Sequence, residues 1–158
     1  GQYYSNFHGM SMAGLRFFSV YQGFGGAEEH KGEFANLIAQ FADTVANGDS
    51  PVLWGDGTQT RDFTHVDDIV RGLEQAAEYE LDGIYNLGTG DSYSLNELVD
   101  RLNEILGTTV QPEYEPNTMR NYVHDTMADP TKMHDATGWE PQISFDEGLE
   151  RVCAPYLD

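Results

Sequence analysis

Lysine is nearly absent. Lys31 and Lys132 are the only two in 158 residues, and lysines and arginines together number 8 against 27 aspartates and glutamates, for a formal net charge of -19. A field of that sign repels nucleic acid and anionic membrane surfaces, which excludes both as partners. Cysteine is down to one, Cys153, so no internal disulfide can form and a reducing, cytoplasmic setting is expected. No apolar run approaches the ~20 residues that a membrane helix needs, and no signal peptide opens the sequence. Internal repeats and low-complexity linkers are missing too. His30, His65, His124 and His134 have no paired metal-ligand spacing, and a lone histidine is ordinarily a hydrogen-bonded structural residue. Asp56, Thr58, Thr60, Asp62 and Asp67 fall at calcium-loop spacing, but Arg61 stands where such a loop needs glycine and would put a positive charge in the cage.

What is present argues for a packed fold. Hydrophobic residues make up 39% and aromatics 12% of the 158 residues. A chain of this size buries roughly 70% of the surface that its unfolded form exposes. The acidic residues are scattered, as at Asp43, Glu74, Asp100, Glu104 and Asp146, and form no block, which argues against a disordered acidic tail. The charge reads as an adaptation to high salt, because the Debye length falls to about 3 Å at 1 M. An anionic ligand would need local arginines to be held against this field.

The apolar pattern alternates between short runs and amphipathic stretches. Gln2–His8 reads as the tail of a helix ended by Gly9, and Gly14–Tyr21 as a buried parallel strand. Phe34, Leu37, Ile38, Phe41 and Val45 recur at helical spacing, predicting a helix over 33–46 closed by Asn47-Gly48. Short strands are predicted over 51–54 and 60–64, then a helix over 66–79 whose Asp67 and Asp68 suit its positive end. Another buried-type strand is expected over 84–87. Ser94-Leu95-Asn96-Glu97 has the form of a capping box, which opens a helix to Leu106 stopped by Gly107. A strand over 110–114, kept near an edge by Pro112 and Pro116, and two short helices over 130–137 and 145–156, the last broken near Pro155, complete an α/β pattern.

The run Gly55-Asp56-Gly57-Thr58-Gln59-Thr60-Arg61-Asp62-Phe63, followed by His65-Val66-Asp67-Asp68, carries the most chemistry, since a glycine-rich turn delivers one arginine beside aromatic and acidic residues. A guanidinium offers paired donors that match a phosphate and keeps its charge at every relevant pH; a salt bridge to Asp62 or Asp67 is the other reading of Arg61. With Leu15-Arg16-Phe17-Phe18-Ser19-Val20-Tyr21 upstream and Tyr85-Asn86-Leu87-Gly88-Thr89-Gly90 downstream, the run resembles the signature of the extended short-chain dehydrogenase/reductase family that acts on nucleotide-diphosphate sugars. The resemblance covers about Gly14 to Leu149. The family's N-terminal glycine-rich dinucleotide loop and its Tyr-x-x-x-Lys pair are not in this sequence, so no catalytic residue is assigned to it.

That resemblance implies the C-terminal part of a Rossmann-type enzyme: the last strands of the parallel sheet plus the small α/β sugar-nucleotide-binding domain. Residues 1–24, 56–79 and 84–106 would associate with the Rossmann sheet, and 25–55 and 107–158 would form the substrate-binding domain. It implies that Arg61 contacts the diphosphate, that Phe63 lines the same pocket, and that Asp91, after the Gly88-Thr89-Gly90 turn, approaches the nucleotide base. Ser19 stands where the family usually has an asparagine that donates to the diphosphate. Arg120 precedes Ala128-Asp129, as an arginine that meets the diphosphate or ribose does in relatives. Glu29-His30-Lys31-Gly32 is similar to a His-Lys-Gly run of ADP-heptose 6-epimerases, which implies that Lys31 meets a phosphate as a point charge and that the following helix presents Glu33, Phe34 and Asn36 near the sugar and diphosphate; an exposed loop charge is the other reading of Lys31. Phe17 and Phe18 read most simply as core, with Phe17, Phe18 and Tyr21 assigned by resemblance to the NAD side. The function implied is the substrate-binding half of an NAD-dependent nucleotide-diphosphate-sugar epimerase, similar to UDP-glucose 4-epimerase and expected to be a homodimer when whole. ADP-heptose 6-epimerase and 4,6-dehydratase are its neighbours, and a non-catalytic sugar-nucleotide-binding module is the alternative of another class.

Overall fold

The computed structural model describes residues 2–23, 28, 30, 31 and 34–157. Two parallel strands, β1 (Ala13–Phe17) and β6 (Gly83–Leu87), run in register from Ala13 opposite Gly83 to Phe17 opposite Leu87. Strands of this apolar type are ordinarily covered on both faces and flanked on both sides. Here each pairs only with the other among the described residues, and Phe17 (48% exposed) and Ile84 (54%) face outward. Phe17 is thus not core in this chain, while Phe18 is partly buried and donates its N–H to the Leu87 carbonyl at 3.2 Å.

The single strand expected over 14–21 is two. Ser19 adopts φ 29°, a left-handed conformation that ends the β1 ladder, and the chain resumes as β2 (Val20–Tyr21) against β5 (Thr64–His65). The strand expected over 60–64 splits likewise: β4 (Thr60–Arg61) pairs antiparallel with β7 (Tyr93–Ser94), and Asp62-Phe63 turn inward before β5. The third short strand, β3 (Val52–Trp54), pairs with β8 (Glu113–Glu115), which starts after the position expected for it. Pro112 has no N–H for a ladder, and Val110 donates instead to the Asn103 side chain at 2.9 Å.

Helix starts follow their caps. Helix α1 is Gln2–His8. Helix α2 (Leu37–Ala46) begins later than apolar spacing suggested, because the Asn36 side chain accepts from the Ala39 N–H at 2.9 Å; Phe34 is left outside the helix and 82% exposed. His65 caps α3 (Val66–Glu78), and Ser94 with Glu97 forms the expected capping box of α4 (Leu95–Leu106). Helix α5 is Thr131–Thr137, and α6 (Phe145–Cys153), capped by Ser144, passes into a 3-10 turn over Ala154–Tyr156 at Pro155. No helix among the described residues is long and apolar enough to cross a membrane.

Two apolar clusters hold these elements. Ile38 and Val45 of α2, Leu53, Leu98 and Leu102 of α4, and Leu149 of α6 fill the first, all fully buried. Ile69, Leu87, Met133 and Trp139 fill the second and seat α3 and α5 against β6. Burial of each such side chain contributes about 1.5–3 kcal/mol. Phe63 belongs to the first cluster, stacked on Phe145 at 5.4 Å, so the residue two beyond Arg61 anchors the turn in the core.

Candidate anion-binding site

The Gly55–Gly57 turn delivers β4. Gly57 has φ 75°, and a Cβ there would collide with the Asn96 side-chain amide, which in turn donates to the Asp56 carbonyl at 3.0 Å. Arg61 emerges from this strand with its guanidinium fixed by oxygens. Its Nη1 donates to the carbonyls of Thr60 and His124, both at 2.7 Å, and its Nη2 donates to the Tyr122 hydroxyl at 2.9 Å and the Val123 carbonyl at 3.0 Å. The guanidinium carbon lies 5.3 Å from the centre of the Tyr122 ring. Among the described residues Arg61 pairs with no carboxylate: Asp67 pairs with Arg151 at 3.2 Å, and Asp62 faces a different set of donors. Its charge is oriented, and no carboxylate among the described residues compensates it.

A cavity of about 220 Å³ opens on Arg61 and is lined also by Ser19, Tyr21, Phe63 and the first residues of α2, Asn36 to Ile38. The positive end of that helix's dipole therefore faces the cavity that Arg61 helps to line. Asn36 is locked there: its side chain donates to the Gln22 carbonyl at 2.8 Å, and its N–H donates to Glu28 at 2.8 Å. Glu28 is buried and takes an ion pair from Lys31. Burial acts to raise the Glu28 pKa, but the hydrogen bonds from Lys31 and Asn36 outweigh it and hold the carboxyl below its ordinary range. Lys31 and Phe34 line an adjoining cavity of about 400 Å³ that shares Tyr21 and Asn36 with the first.

Tyr21 is buried, edge-on to His65 at 5.4 Å and to Phe63 at 6.4 Å, and burial together with the Asp68 charge raises its pKa far above the ordinary phenol value. It is an apolar wall that stays protonated. Asp91 lines a third cavity of about 260 Å³ beyond Phe63, with Tyr93 and Phe145. Arg120 lies exposed in the turn before Asn121 and lines none of the three; Phe17 and Phe18 lie at the carboxyl end of β1, outside them as well. Glu33 lies outside the described residues. The structure thus brings Arg61, Phe63, Ser19 and Tyr21 together, sets Lys31 and Phe34 next door, and sets Asp91 behind Phe63.

Asn36, expected near the sugar and diphosphate, stands as the N-cap of α2 and lines the Arg61 cavity. Sequence reasoning missed Asp62. Asp62 stood inside the quoted motif, but the backbone N–H groups that donate to it lie 27 to 66 residues away. Chemically the lining offers groups that suit an anion: an arginine, a helix start, a hydroxyl and an aromatic wall.

The family model for GDP-mannose 4,6 dehydratase matches residues 2–152. Among curated proteins, a UDP-glucuronate 4-epimerase of Thermodesulfobacterium geofontis is 34% identical over 154 residues, covering 94% of this chain and 44% of that protein. Among solved structures, UDP-glucose 4-epimerase of Thermotoga maritima with UDP-glucose superposes with a TM-score of 0.84 at 30% identity over 97% of this chain and 48% of that one. The Thermus thermophilus UDP-glucose 4-epimerase in complex with NAD gives 0.80 at 27% identity, covering 98% and 49%. The chain belongs to the family that this model describes, the nucleotide-sugar branch of the extended short-chain dehydrogenases/reductases. Its fold is that of the C-terminal half of these Rossmann-type enzymes, and it spans about half the length of the curated relatives it matches.

Proposed function

We propose that this chain is the substrate-gripping part of an NAD-dependent nucleotide-diphosphate-sugar epimerase similar to UDP-glucose 4-epimerase. The observation that carries the reading is the convergence of Arg61, Ser19, Phe63 and the start of α2 on one cavity. Arg61 and the helix start would hold the diphosphate, with Lys31 adding a point charge from the adjoining cavity and Arg120 closing from the exposed turn. Phe34 and Glu33 would meet the sugar, and Asp91 the base side beyond Phe63. Ser19, shorter than asparagine, would donate one hydrogen bond, directly or through water.

A nicotinamide cofactor would supply hydride exchange with the sugar carbinol. The carboxyl end of a parallel strand is where α/β sheets receive dinucleotides, and half-exposed Phe17 with Phe18 at the end of β1 fits that use; Tyr21 would back the same region from the core. The proton-transfer groups would come from the rest of the protein, so residues 1–158 alone would be inactive. In the whole enzyme, a homodimer by this reading, residues 1–24, 56–79 and 84–106 would join the Rossmann sheet, and 25–55 and 107–158 would make the substrate domain. The test is product analysis by NMR after incubation of the full-length protein with UDP-glucose and NAD. An inverted C4 supports the reading. A dehydrated keto sugar would replace it with a 4,6-dehydratase, and UDP-glucose that neither binds nor reacts would overturn it.

A further inference from the structure

Asp62, next to Arg61, is fully buried. Its Oδ1 accepts from the Thr89 N–H at 2.9 Å, the Thr89 hydroxyl at 2.8 Å and the Thr64 hydroxyl at 3.3 Å, and its Oδ2 accepts from the Gly90 and Ala128 N–H groups, each at 3.0 Å. No cation pairs with it among the described residues, so hydroxyls and backbone amides hold the carboxylate in place. The packing is built around it: a Cβ at Gly88 would come within 2.9 Å of Asp62 Oδ2 and would press on Ala128 Cβ.

Three segments meet on this one side chain: the Arg61 strand, the turn at 88–91, and the segment 122–128. The last supplies the oxygens that orient Arg61, from Tyr122, Val123 and His124. It is tied back at its middle as well, because the Thr60 N–H donates to the His124 carbonyl at 3.1 Å, the Thr126 N–H to the Thr60 carbonyl at 3.2 Å, and the Thr60 hydroxyl to Asp125 Oδ1 at 2.9 Å. Asp62 pins the far end at Ala128.

We propose that Asp62 is a positioning residue of the sugar-nucleotide site: its carboxylate fixes segment 122–128, on which the Arg61 guanidinium is aimed, and fixes the 88–91 turn relative to it. The inference rests on the function proposed for Arg61. Asp62 does not touch the ligand; it sets where Arg61 points and how far Asp91 stands behind Phe63. Asp62→Asn keeps the shape but turns an amide N–H₂ against backbone N–H donors, which a carboxylate oxygen had satisfied.

The experiment is a double-mutant cycle on the full-length protein, with UDP as the probe in titration calorimetry. Asp62→Asn is expected to weaken UDP binding about tenfold or more, and in the Arg61→Ala background the same change is expected to have almost no effect, a non-additivity that a general loss of stability would not produce. Unchanged affinity in Asp62→Asn, or a loss that adds fully to that of Arg61→Ala, overturns the proposal. If Asp62→Asn does not fold, Thr89→Val, which removes one hydroxyl donor, takes its place in the cycle: a smaller, non-additive loss supports the proposal, and no loss or an additive one overturns it. Wild-type affinity in Arg61→Ala alone refutes the phosphate-binding reading itself, which separates that failure from the failure of Asp62.

Discussion

Replacing Gly148 with alanine sets two effects of opposite sign against each other. Gly148 lies inside α6, where alanine is the better helix former by about 1 kcal/mol, so propensity alone predicts stabilisation. The added Cβ, however, would lie 2.7 Å from Tyr21 Cζ and 3.0 Å from Cε2, and nearer still to the hydroxyl. Tyr21 cannot swing aside, because it is 2% exposed and boxed by Phe63 and His65. Overpacking of this kind costs about 1–3 kcal/mol or more, which exceeds the propensity gain. We therefore expect Gly148→Ala to destabilise the full-length protein by about 1–2 kcal/mol, lowering the melting midpoint by about 2–4 °C per kcal/mol. Tyr21→Phe removes the closest atom but leaves Cζ in the way, so it should recover part of the loss and not all of it. Differential scanning calorimetry of the four-variant cycle reads this coupling directly. A Gly148→Ala protein as stable as wild type or more so, with no dependence on Tyr21, would refute the packing argument.

Three further outcomes are expected. With 27 acidic residues against 8 basic ones, stability should climb as potassium chloride is raised from dilute buffer to molar levels, and a melting midpoint flat or falling with salt would contradict an adaptation to salt. Burial lowers the pKa of His65 below its ordinary 6.5 despite the opposing charge of Asp67, so the fold favours the neutral ring. The unfolded chain then binds the extra proton first, and this contribution is fully present above pH 6.5 and lost as pH falls toward the lowered folded value. His65→Asn, which keeps a cap acceptor without a titrating ring, should flatten that part of a melting-midpoint profile between pH 7 and roughly pH 5. Burial also raises the Cys153 thiol to about 11, so a thiol reagent at mildly alkaline pH should label it only after denaturant is added.

What was legible in the sequence was local. The Ser94–Glu97 capping box, the stop of α4 at Gly107 and the break of α6 at Pro155 each depend on residues within a turn of one another, and all stand where pattern reading put them. The glycine turn and Arg61 were legible because one short run carries them. The rest depends on distant partners. Ser19 ends a strand because Val20 and Tyr21 find β5 more than forty positions away, and Phe34, apolar at helical spacing, stays outside α2 because Asn36 caps it. Phe17 reads as core by composition, yet in this chain the face it lies on is open. Asp62 escaped notice for the same reason: nothing near it in sequence announces the donors at Thr89, Gly90 and Ala128.

The central claim, that this chain grips a nucleotide diphosphate through Arg61, is tested most directly by titrating UDP into the full-length protein and into its Arg61→Ala variant at matched salt. Loss of a charge-assisted contact to phosphate is expected to weaken binding by about 2–3 kcal/mol, roughly 30- to 150-fold, while NAD content stays unchanged. UDP bound by Arg61→Ala as tightly as by the wild type would contradict the account.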